Sequence, residues 1–100
     1  MGKQALEIFR RSLPVLQVLS DSNRQDILLL LSENGRMTVN EIAERSPLSR
    51  PAVSHHLKLL RTAGVIGVEQ TGTQRHYFLS MTESVELLRQ LLDALEKDCL

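Results

Sequence analysis

The sequence predicts one mainly α-helical domain that carries a single small β-hairpin. Two observations lead there. Apolar residues recur at helical spacing through most of the chain, but after Gly64 the period drops to two, in VIGVEQ and RHYFLS, and then returns to 3.6. One hundred residues with 42% hydrophobic side chains suit one packed core, too little chain for two and too apolar for disorder.

The elements follow in order. In QALEIFRRSLPVLQVL (4–19), Leu6, Phe9, Leu13 and Leu16 lie at helical spacing, and Pro14 removes a backbone donor, so a kink or break is expected there. DSNRQDILLLLSENG follows, with Asp21 or Ser22 placed to cap a helix and Gly35 to end it. Its run Ile27 to Leu31 is apolar nearly all round, which predicts a central buried helix. Thr38 and Glu41 have capping-box spacing ahead of Val39, Ile42 and Ala43. Ser46-Pro47-Leu48 interrupts the chain, Ser49 can cap the next helix, and Pro51 falls in its first turn. Ala52, Val53, His56, Leu57 and Leu60 share one side of that helix, which stops near Gly64. Two short helices joined by a tight turn over residues 38–63 form a helix-turn-helix. The hairpin spans about 65–79, with Thr71-Gly72-Thr73-Gln74 between its strands, and one of Tyr77 and Phe78 should face inward. A last helix, about 83–98, has Glu83 and Glu86 in its first turns and lines up Val85, Leu88, Leu91, Leu92 and Leu95.

Charge placement points to a partner. The whole chain is neutral, but residues 45–76 hold Arg45, Arg50, Lys58, Arg61 and Arg75 against Glu69 alone, while both ends are acidic. A local basic face of this kind suits phosphate. If Val53, Leu57 and Leu60 face the core, then Arg50, Pro51, Ser54, His55 and Lys58 turn outward. That face has donors and cations and no acid, as a major-groove reader requires, and Arg50 sits where a recognition helix addresses base edges. Adjacent helical residues point about 100° apart, so His55 and His56 do not readily hold one metal ion. No nucleophile–histidine–carboxylate set and no phosphate-cradling glycine loop is visible, so an enzyme is not expected. A lone Cys99 makes no internal disulfide, no apolar run is long enough for a membrane span, and the start lacks a signal-peptide core. A soluble cytoplasmic domain without cofactor or metal is therefore expected.

The stretches LSDSNRQDILLLL, TVNEIAERSPLSRPAVSHHLKLLRTAGVI and RHYFL together resemble the ArsR family of bacterial winged-helix repressors, most specifically in VSHHLKLLRTAGVI. The resemblance implies a winged helix-turn-helix, dimeric through its terminal helices (about 4–19 and 83–98), that binds an inverted-repeat operator on double-stranded DNA as a homodimer. Ser49, Arg50, Ser54, His55, Lys58, Arg61, Gln74, Arg75 and His76 are the expected DNA-binding residues, the last three from the wing. His56 is implied to pack or orient. Metal-sensing members resemble one another in a Cys-x-Cys-type motif that VNEIAERS lacks, and other members use Asp/His and His/Glu pairs on a terminal helix that here has no His. The effector is left unknown, and a redox role for Cys99 open. Two alternatives stand beside the repressor: a winged-helix interaction module that does not bind DNA, and a metal- or redox-responsive repressor with an atypical sensor.

Overall fold

The structure is a computed structural model that describes residues 2–99; the side chain of Cys99 lies outside the described part. The element order is α1 (Lys3–Val18), α2 (Ser22–Asn34), α3 (Val39–Glu44), α4 (Arg50–Thr62), β1 (Ile66–Thr71), β2 (Gln74–Leu79) and α5 (Thr82–Cys99). Helix-turn-helix, hairpin and terminal helices thus stand where their patterns put them, within a residue or two at each end.

The helix starts are set by local chemistry. The Asp21 carboxylate accepts the Arg24 N–H at 3.0 Å, and Gly35 closes α2 at φ 76°. Thr38 and Glu41 complete a reciprocal capping box, and the Ser49 hydroxyl accepts the Ala52 N–H at 3.3 Å. Each satisfies a backbone donor that the first turn leaves without an intrahelical partner.

Ile27, Leu31, Ile42, Val53, Leu57, Leu60, Val65 and Ile66 make the core, joined by Val15 and Val18 from the end of α1 and by Tyr77. β1 and β2 pair antiparallel from Ile66↔Leu79 to Thr71↔Gln74, leaving a two-residue turn, Gly72-Thr73. Gly72 takes φ 63°, the positive value that tight hairpin turns require at their first central position. Tyr77 is the inward aromatic and Phe78 is half-buried on the opposite face. Met37 and Tyr77 also exchange backbone hydrogen bonds of 3.0 and 2.8 Å, which ties the hairpin to the α2–α3 connection.

Two expectations need correcting. Of the kink or break expected at Pro14, the break does not occur: α1 is one continuous helix, since a proline deletes only one i→i−4 bond and the rest of the helix lies packed along α5. α2 is not buried all round: Ile27 and Leu31 are in the core, but Leu29 is 58% exposed. The stripe Leu6, Phe9, Leu13, Leu16 is exposed or half-buried in the single chain. Ala5, Ser12, Val15 and Val18 are buried instead, about 100° (one residue) around the helix. Ala5 and Ser12 are small, which lets α5 approach, and the Ser12 hydroxyl donates to the Ile8 carbonyl at 2.7 Å. Among the described side chains of α5 only Leu91 and Ser84 are buried, and Leu92 is 61% exposed. Ser84 donates to the Gly64 carbonyl at 3.2 Å, fixing the start of α5 to the end of α4.

Candidate nucleic-acid interface

α4 is built to present a polar face. Val53, Leu57 and Leu60 anchor it, so Arg50, Ser54, His55, Lys58 and Arg61 are left exposed. Beside it stands the hairpin, whose inner face carries Arg75 and Tyr77. Between the two lie adjoining clefts. One is lined by Arg50, Ser54, Gln74 and Arg75 together with Thr38, Asn40 and Thr73. The other is lined by Ser54, Lys58, Arg61, Thr62 and Arg75. Tyr77 forms part of the floor of both, and the Arg75 guanidinium stands 5.9 Å from its ring centroid.

The structure therefore brings together Arg50, Ser54, Lys58, Arg61, Gln74 and Arg75 around one concave surface. None of its four cations makes an ion pair among the described residues, and no acid lines either cleft. Glu69, the one acid of the basic stretch, is held by Arg36 at 2.8 Å on the outer face of the hairpin. Such a surface carries an uncompensated positive field able to attract a polyanion.

The remaining expected residues are placed differently. Ser49 sits at the end of α4 with its oxygen engaged in capping. His55 is exposed but lines neither cleft. His76 pairs with Glu69 across the hairpin and, by strand alternation, shares the outer face with Phe78, away from the α4 clefts. Its charge also acts on Glu41, whose carboxyl is held below its ordinary value chiefly by hydrogen bonds with Thr38. His56 is half-buried, and its Nδ1 lies 3.3 Å from Nη1 of Arg24, whose Nε donates to the Val18 carbonyl at 2.7 Å. The two imidazoles stand 5.9 Å apart at 57°, in different environments.

Sequence reasoning missed Thr38, Asn40 and Thr73, which reach the cleft from the α3 start and the hairpin tip. Only the fold brings them there. It also missed Arg24, because its partner lies 32 positions away. Among the described residues, no group of three or more His, Cys, Asp or Glu side chains is arranged to hold a metal ion. Among the same residues, no helix is long and apolar enough to cross a membrane.

A family model described as "Bacterial regulatory protein, arsR family" matches residues 21–67, from the α2 cap into β1. Among curated proteins, the transcriptional repressor SdpR of Bacillus subtilis is 36% identical over 83% of this chain and 91% of its own length. The HTH-type transcriptional regulator Rv2034 of Mycobacterium tuberculosis is 43% identical over 77% of this chain and 70% of its own. Among solved structures, an ArsR-like transcriptional regulator from Rhodococcus sp. RHA1 superposes with a TM-score of 0.82 at 25% identity, covering 92% of this chain and 84% of that one.

Proposed function

The chain belongs to the ArsR family of bacterial DNA-binding regulators, and on that premise we propose that it is a homodimeric repressor that grips an inverted-repeat operator with α4 and the hairpin wing. The observation that carries this reading is the convergence of four unpaired cations, Arg50, Lys58, Arg61 and Arg75, on one concave surface with no acid in its lining. Lys58, Arg61 and Arg75 supply phosphate contacts and hence salt-dependent affinity, with Gln74 adding a neutral one at the wing tip. Arg50, Ser54 and His55 address base edges, where Arg can donate to guanine O6 and N7 together. Ser49 orders the α4 end that Arg50 occupies. His76 plays at most an outer-wing part.

The dimer is supported by the terminal helices. α1 packs chiefly along α5, and this pair leaves Leu6, Leu16, Val85 and Leu92 exposed on a chain 47 Å long but only 20 Å thick. Two helices side by side cannot enclose a core, so a second copy across a two-fold axis is the natural cover. That symmetry sets the two α4 helices about one DNA turn apart on a palindrome. A cytoplasmic location belongs to the same proposal, because the operator is there.

The test is selection of bound duplexes from a random pool, followed by mobility shifts on the winner at low and moderate salt. The expected result is an imperfect palindrome whose binding weakens steeply with salt, and reduced reporter output from a promoter that contains it. A winged helix used only as a protein-interaction module would show no salt-sensitive binding to any duplex.

A further inference from the structure

Away from the wing, Pro14 and Val18 of α1 and Leu59 and Ala63 at the end of α4 line an open apolar groove of about 230 Å³, with Gln17, Thr62 and Arg24 at its polar margin. Its volume lies below the range of drug-sized pockets, so only a small ligand body can lie in it. One ring or a short alkyl chain fits.

The margin carries a charge without a counter-ion. Arg24 is half-buried and makes no ion pair among the described residues, and no acid lines the cleft. Its contacts are the Val18 carbonyl through Nε and His56 Nδ1 through Nη1, the latter long at 3.3 Å. A guanidinium has five N–H donors in a fork that matches a carboxylate, so several remain for a ligand. An apolar groove ending in a guanidinium without an ion-pair partner among the described residues suits a small organic monocarboxylate.

Arg24–His56 is also, among the described residues, the side-chain hydrogen bond that joins α2 to α4. His56 lies on α4 between the exposed Ser54, His55 and Lys58. We propose that this cleft is a regulatory site for a small monocarboxylate with a single-ring or short alkyl body, and that its occupation draws Arg24 off His56 and loosens α4 on DNA. The regulatory half rests on the DNA-reading function proposed above; binding in the cleft does not.

The test has two arms. In the first, the full chain labelled with ¹⁵N is titrated with benzoate and hexanoate, with benzamide as the uncharged counterpart of benzoate. Saturable shifts are expected at the Val18, Leu59, Thr62 and Ala63 amides with at least one of the two acids, weakened about tenfold by Arg24→Met and by the amide probe, as for loss of a charged hydrogen bond. Leu59→Trp, which fills the cleft and leaves Arg24 in place, should abolish them even if Arg24→Met does not fold. In the second arm, the acid that binds should lower operator affinity about fivefold at saturation, within the range of ordinary coupling between sites, and leave Leu59→Trp unresponsive. No cleft shifts with either acid, shifts of equal size for benzamide, or shifts centred on Arg50, Lys58 and Arg75 would overturn the site. Cleft shifts without any change in operator affinity would overturn its regulatory role alone. Failure to bind any duplex would sink the repressor reading while leaving the first arm standing.

Discussion

Replacing Gly67 with alanine sets two opposed effects against each other, and the geometry of the wing decides the sign. Gly67 has an ordinary φ, so alanine is compatible with its backbone and on entropy alone would stabilise by about 0.4–1 kcal/mol. Its Cβ, however, would stand 2.7 and 2.8 Å from Cζ and Cε2 of Phe78, the residue directly opposite in the hairpin. Carbon atoms pack at about 3.5–4.0 Å, so the ring must retreat by about 1 Å. That retreat disturbs the Arg36 guanidinium, which lies 4.6 Å from the Phe78 ring centroid and also pairs with Glu69. Overpacking of this kind costs about 1–3 kcal/mol and an exposed cation–π contact adds about 0.5–1 kcal/mol. Against the entropic gain, the net is a loss of about 0.5–3.5 kcal/mol, or several degrees in Tm for a domain of this size. Thermal and urea unfolding at one fixed protein concentration measure it. A cycle with Phe78→Leu should return at least about 0.5 kcal/mol of coupling. A Gly67→Ala protein as stable as the parent, or more so, would refute the claim that Phe78 packs on a position only glycine leaves free.

Three further outcomes are expected. Leu57→Ala, at a fully buried anchor of α4, should cost about 3 kcal/mol in urea unfolding, whereas Arg50→Ala and Arg75→Ala should stay within about 0.5 kcal/mol of the parent. Leu92→Glu should weaken self-association by more than tenfold in sedimentation, since each symmetric dimer would lose two leucines worth about 1.5–3 kcal/mol each when buried. An unchanged association constant would place the dimer elsewhere. The Glu41 carboxyl, held below its ordinary 4.5 by hydrogen bonds with Thr38, binds its proton less readily folded than unfolded. Its stabilisation is thus complete above the ordinary value and is lost as pH falls through the lowered folded one. Urea midpoints between about pH 7 and about pH 3 should fall less for Glu41→Gln than for the parent.

What the sequence made legible is what short-range chemistry decides. The caps at Thr38 and Ser49 and the turn at Gly72 each depend on residues within four positions and were placed from the sequence, and the cap of α2 was narrowed to Asp21 or Ser22. The outward face of α4 followed from Val53, Leu57 and Leu60 by periodicity. Periodicity failed where a helix has more than one apolar face. In α1 the large stripe Leu6–Leu16 was the conspicuous pattern, but the small residues Ala5 and Ser12 are the buried ones, because close approach of α5 rewards small side chains over large ones. The all-leucine run of α2 concealed that Leu29 has nothing to pack on in a single chain. Pro14 looked disruptive because its lost hydrogen bond is local while the packing that sustains α1 is not. The site divides in the same way. Its cations were legible, but Asn40 and Thr73 in the cleft, the Arg24–His56 tie and the turning away of His76 depend on contacts made only in the fold.

The central claim is that α4 reads base edges while the wing holds the backbone. Its most direct measurement is binding of the parent, Arg50→Ala and Arg75→Ala to the selected operator and to a random duplex over a range of salt. Arg75→Ala should weaken both duplexes about equally and lower the salt slope by about one. Arg50→Ala should instead erode the preference for operator over random DNA, by about 1–3 kcal/mol at its base position. Equal losses on both duplexes for both variants would contradict that division of labour, and salt-insensitive binding by the parent would contradict the interface itself.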